Sequence, residues 1–182
     1  RALLAARPTV LTYWYRTSPS ALVPSDVSDD LMLPGVVRPD SPPTTLSGMV
    51  NLTLDPRGRL TGLQVIPPER FEDDGGATVA PDWRPLLEAA DLDPAELVPA
   101  RPLWNSLAAS HTRVAWTGTW PGTTRPLRVE AAAWRGRPVF LALIGPWTNP
   151  ERLKPLARTT GQALLILGMG CMVLAGGAGL AW

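Results

Sequence analysis

From Ala163 to Trp182 the chain carries no charged residue, and that run constrains the fold more than any other feature of the sequence. At 1.5 Å per residue an α-helix needs about 20 residues to cross a hydrocarbon layer of roughly 30 Å. A buried core helix is the alternative, but such helices usually show one apolar stripe rather than apolar residues on every face. Gly168, Gly170, Gly176, Gly177 and Gly179 would weaken a helix in water and are common in membrane spans. Cys171, Ala175 and Gly179 recur at four-residue spacing, a small-residue stripe of the kind that packs one span against another, although an Ala/Gly-rich segment also generates such spacing by chance. The run predicts a transmembrane helix over 161–182, truncated at Trp182, with the lipid bilayer and other transmembrane helices as partners through Cys171, Ala175 and Gly179. Arg152, Lys154 and Arg158 precede it, where positive charge ordinarily marks the cytoplasmic flank.

The residues ahead of this run, 1–158, read as one soluble domain, since 182 residues are too few for two ordinary domains and a span. The chain opens on Arg1 with no signal-peptide pattern and stops inside an apolar run, so both ends are expected to be boundaries within a longer protein. The 17 basic residues are all Arg except Lys154, and with 21 Pro this composition fits a GC-rich bacterial genome. A net charge of +1 offers no basic stripe for nucleic acid. Cys171 is the only cysteine, so residues 1–158 can form neither a disulfide nor a thiolate metal site.

Strand signals dominate that domain. Residues 8–15 are β-branched and aromatic, and 16–47 form a long Pro-rich connection. Residues 48–66 alternate between faces about Asp55-Pro56-Arg57-Gly58, which supplies Pro at the second and Gly at the fourth turn position. Asp82 is a candidate N-cap for a helix whose Trp83, Leu86, Leu87 and Ala90 share one face, and Asp93-Pro94-Ala95-Glu96 resembles a second short helix start. Residues 111–120 resume a strand, and 127–134 with 137–144 form a second hairpin around Arg135-Gly136-Arg137. At one constant offset Arg57-Gly58-Arg59 matches Arg135-Gly136-Arg137, Leu63 matches Leu141, Ile66 matches Ile144 and Pro68 matches Pro146. The expected fold class is α+β: an antiparallel sheet built from two similar β-hairpins, with one or two short helices packed on it, followed by the transmembrane helix.

Catalytic chemistry is thin. His111 is the single histidine and stands at the start of a strand, away from any nucleophile elbow. Phosphate loops, kinase signatures and a zinc ligand set are missing, and Glu72, Asp73 and Asp74 share one Gly-containing loop rather than facing each other. The expectation is a non-enzymatic chain with no catalytic residue, no cofactor and no metal. The excess that asks for explanation is tryptophan, eight against two Phe. Most of these rings are expected to fill the core in place of Phe, while Trp104, Trp116, Trp120 and Trp134 are the candidates for an aromatic binding surface, and Trp147 and Trp182 are placed at the membrane interfaces.

Several phrases then carry a resemblance: Tyr13-Trp14-Tyr15-Arg16-Thr17-Ser18-Pro19, the Gly48-to-Pro67 hairpin, Pro81-Asp82-Trp83 with Leu92-Asp93-Pro94, Val114-Ala115-Trp116-Thr117-Gly118, Arg128-Val129-Glu130-Ala131-Ala132, Gly136-Arg137-Pro138-Val139 and Pro146-Trp147-Thr148. In order and spacing they resemble the region C-terminal to the kinase domain in membrane-anchored bacterial serine/threonine protein kinases, over most of residues 10–152. The resemblance implies a cytoplasmic kinase upstream, this domain outside the bacterial cytoplasmic membrane, and further spans downstream. It carries over no ATP-binding or catalytic residue. The expected function is a non-catalytic extracytoplasmic sensor or partner-binding domain in signalling, with an unidentified ligand. A structural module packing with neighbouring spans is the alternative, and a cell-envelope enzyme the remote one.

Overall fold

The computed structural model describes residues 6–23, 37–70, 79–150, 168, 169, 171 and 172. One compact unit comprises residues 1–28 and 32–148, and a second comprises 29–31 and 149–182. In the first, strands β1 (Tyr13–Thr17), β2 (Val50–Leu54) and β3 (Leu60–Val65) precede a short helix α1 (Arg84–Ala89) and a 3-10 turn (Pro94–Glu96). Strands β4 (Val98–Ala100), β5 (Thr112–Thr119), β6 (Pro126–Trp134) and β7 (Arg137–Ile144) follow. The seven strands among the described residues join one sheet in the order β1-β2-β3-β7-β6-β5-β4, with every pairing antiparallel.

Side chains alternate across the sheet, and the register shows what each face carries. On one face Leu127, Val129 and Ala131 of β6 meet Leu141 of β7 and Leu60 of β3, and Leu86, Leu87 and Ala90 cover them together with Leu92, Leu97 and Trp120. On the other face Ala132, Val139 and Ala108 form a smaller cluster flanked by Val65, Ile66, Trp134 and Phe140. Glu130 lies on this second face, where Arg128 Nε and the Leu103 N–H donate to its Oε1 at 2.6 and 2.9 Å. That buried carboxylate fastens the 101–110 segment to β6. The described end of the long Pro-rich connection, residues 37–47, is tied down in a similar way. Buried Arg16 donates to the carbonyls of Arg38 and Pro42 and to Thr44 Oγ1, and Asn51 Nδ2 donates to the Pro39 carbonyl. The sheet has dissimilar edges. At one, β1 exposes Tyr13 (59%), Trp14 (42%) and Tyr15 (56%); at the other, β4 is three residues long with Pro99 at its centre.

The expected α+β class is corrected: residues 6–148, where described, form an antiparallel sheet with almost no helix. The leucine spacing of 83–90 does make a helix, but α1 stops after six residues, and no side chain caps its N-terminus at Trp83. The Asp82 carboxylate does accept from the Arg84 N–H at 3.0 Å, but from one residue ahead of the cap position at Trp83. At the other end Asp91 turns left-handed, with φ 52°, and ends the helix. The second expected helix is a single 3-10 turn, held by the Ala95 N–H donating to Asp93 Oδ1 at 2.9 Å.

The expected transmembrane helix, and the membrane location drawn from it, are corrected as well. Among the described residues no helix is long and apolar enough to cross a membrane, which takes about 20 residues. Of the expected span over 161–182, Gly168, Met169, Cys171 and Met172 are described, helical and exposed. The remainder, including Ala175 and Gly179 of the expected packing stripe, lies outside the described residues.

Candidate binding cleft

The first hairpin turn places a carboxylate where solvent hardly reaches it. Asp55 is 2% exposed. Its Oδ1 accepts from the backbone N–H groups of Arg57 and Arg59 at 2.8 and 3.0 Å, and Arg59 Nε reaches its Oδ2 at 2.5 Å. Burial opposes ionisation of Asp55, but the Arg59 and Arg57 amides and the Arg59 guanidinium outweigh it and hold the carboxyl below its usual range. Arg59 extends further, its Nη1 donating to Asp91 Oδ2 at 3.2 Å, while its buried Nη2 has no partner.

Arg7 comes to the same place from the other direction. Its Nη2 donates to the Ala90 carbonyl at 2.7 Å and its Nη1 to the Asp91 carbonyl at 2.9 Å, so the guanidinium occupies the C-terminal end of α1, where a positive charge is favoured. Asp91 Oδ2 stands 3.5 Å from Arg7 Nη2. Burial and then the neighbouring Arg59 lower the Arg7 pKa, and Asp91 and Asp55 oppose them. Two arginines and two aspartates thus form one paired network between the first turn and the end of α1.

Beside this network two indoles stack, Trp120 and Trp147, with centroids 6.4 Å apart and planes inclined by 23°. Trp120 follows β5, its backbone N–H donating to the Arg125 carbonyl at 2.9 Å, and it is 6% exposed. Trp147 follows β7 in the turn Gly145–Thr148, closed by the Thr148 N–H on the Gly145 carbonyl at 3.0 Å, and it is 51% exposed. Glycine lets the indole fold back over this turn, because a Cβ on residue 145 would lie 2.3 Å from Cζ2 of Trp147 and push the ring aside. The buried Nε1 of Trp120 has no hydrogen-bond partner. Arg7, Thr12, Asp55, Thr61, Trp120 and Trp147 line a cleft of about 230 Å³.

Of the four tryptophans named from sequence, only Trp120 reaches this cleft. Trp116 packs against the main core, edge-on to Trp83 at 6.1 Å. Trp134 lies against the smaller cluster and stacks on His111 at 6.1 Å, and His111 Nδ1 accepts from the Arg135 N–H. Trp104 is half-buried in the 101–110 segment, its carbonyl accepting from Arg113 Nη2 at 3.3 Å. The four rings therefore do not converge. Trp147, Arg7 and Asp55 were not among the sequence candidates. The Asp at the start of the first turn, with an Arg four residues later, was the available signal for one side of the cleft.

A wider depression of about 440 Å³ gathers Glu88, Asp91, Asp93 and Glu96, but these carboxylates are exposed, and among the described residues no group of His, Cys, Asp and Glu is arranged to hold a metal ion. No protein-family model, curated protein or solved structure matches the chain.

Proposed function

We propose that this domain is a non-catalytic binding module that captures a small ligand, or the end of a larger partner, in the cleft between Trp147 and Arg7. The observation that carries this reading is the Trp120–Trp147 pair: one indole buried with its N–H unspent, the other half-exposed at the cleft mouth. Binding sites characteristically combine aromatic walls with a few fixed polar groups, and the Asp55–Arg59–Asp91–Arg7 network supplies such groups in a rigid setting. The resemblance to kinase-linked regions supports a place in signalling, with ligand capture as the input to a kinase elsewhere in the parent protein.

The test is a thermal-shift screen of small sugars, carboxylic acids, amines and dipeptides against the protein and its Trp147→Ala variant. A compound should raise the melting temperature of the unaltered protein and leave that of the variant unmoved. A screen in which no compound separates the two proteins would overturn the reading.

A further inference from the structure

We infer that the cleft takes a neutral polyhydroxylated ring, a single sugar residue of the pyranose kind, rather than a charged ligand. This rests on the proposal that the cleft is a ligand site. Three features of its wall lead there.

The first is charge. The carboxylate of Asp55 and the guanidinium of Arg7 both line the cleft, both are buried, and each already has partners of its own. An anion entering the space would meet Asp55 and a cation would meet Arg7, in surroundings where like charges are poorly screened. A neutral ligand meets neither penalty.

The second is the pattern of unspent hydrogen-bonding capacity. Trp120 offers an N–H without an acceptor. A carboxylate has about four lone-pair positions, and Asp55 uses three, so its Oδ2 can accept once more. Thr61 Oγ1 donates to Thr53 Oγ1 at 3.1 Å, which leaves its lone pairs for an incoming donor. A site with one spare donor and several spare acceptors suits hydroxyl groups, each of which both donates and accepts.

The third is shape. Trp147 presents a half-exposed indole to the opening, and the apolar C–H face of a pyranose ring is flat enough to lie on such a surface. The space of about 230 Å³ falls below the roughly 300–1,000 Å³ of sites for drug-sized ligands, which limits the occupant to one ring. Nε1 of Trp120 is buried, so a ligand reaches it only when the Trp147 indole stacked on Trp120 moves aside.

The experiment follows the indole N–H signals of the ¹⁵N-labelled protein while three probes are titrated: methyl β-D-glucopyranoside, glucuronate and choline. The Trp120 and Trp147 signals should move with the glucoside, and glucuronate and choline should bind about tenfold more weakly or not at all. Trp120→Phe keeps an aromatic ring but removes the N–H; read at the Trp147 signal and well below the variant's own melting temperature, which the smaller core side chain lowers, it should weaken the glucoside about fivefold. Glucuronate or choline binding as tightly as the glucoside would overturn the neutral-sugar class and leave the cleft standing as a site. Three probes that move neither signal, in a protein where the thermal-shift screen finds a Trp147-dependent compound of another kind, would overturn the sugar alone. A failed screen together with unmoved signals would remove both.

Discussion

The two hairpins share an Arg-Gly-Arg turn sequence and solve the turn by different means. Between β2 and β3 the reversal is filled by a side chain: the Asp55 carboxylate gathers two backbone N–H groups and the Arg59 guanidinium, with Gly58 at φ 78°. Between β6 and β7 two left-handed residues do the work, Arg135 at φ 48° and Gly136 at φ 77°, the pattern of a two-residue turn whose twist suits its strands. The hairpins meet where β3 pairs with β7, and there Leu63 lies opposite Leu141, its counterpart in the sequence repeat. A common turn sequence thus sets where the chain reverses but not the chemistry left behind. The turn filled by a carboxylate contributes a wall of the cleft, whereas the other turn packs against Val79.

The difference can be broken first at Asp55. Asp55→Ala removes one partner of a buried charge pair, and the expected loss is about 3–5 kcal/mol in a urea unfolding experiment. Protonation does the same thing more gently. The Asp55 pKa is depressed in the folded state, so its contribution is present above the unfolded value of about 4 and is lost as pH falls through the lower folded value. Unfolding midpoints measured from neutral to acid pH should show this decline in the unaltered protein and a shallower one in Asp55→Asn. An equal acid decline in both would mean that the carboxylate is not the source. The smallest and sharpest contrast is between the two glycines. Gly136→Ala should cost about 2 kcal/mol, because the left-handed backbone disfavours a side chain and the new Cβ would stand 2.8 Å from the Val79 carbonyl oxygen. Gly58→Ala has the same backbone strain but open space around it, so about 1 kcal/mol is expected from thermal unfolding.

The turns themselves are legible in the sequence, because Asp-Pro-Arg-Gly and Arg-Gly-Arg are local signals and the flanking residues alternate. The fold class is not. The leucine spacing after Asp82 announces a helix, but nothing local announces that Asp91 will stop it within six residues. Strand β4 is hidden by Pro99, which the sheet accommodates because β4 lies at an edge. The uncharged run over 163–182 reads as a span by length alone, and length is a weak witness without the fold around it. The cleft is the least legible part. Arg7, Asp55, Asp91, Trp120 and Trp147 are brought together by tertiary structure, and no spacing rule links a cation near residue 7 to a carbonyl at residue 90. Trp147, ahead of the apolar run, suggests an interfacial role by sequence, whereas its ring folds back over Gly145.

The unlike edges of the sheet have a consequence for assembly. Along β4 further hydrogen bonding is discouraged, since the strand is three residues long and its central proline has no N–H to offer. Along β1 five residues without proline stand as the last strand among those described. A sheet open on both sides can recruit copies without end, as fibres do. A sheet with one closed margin would have a single valence, so any joining through β1 would end at a pair.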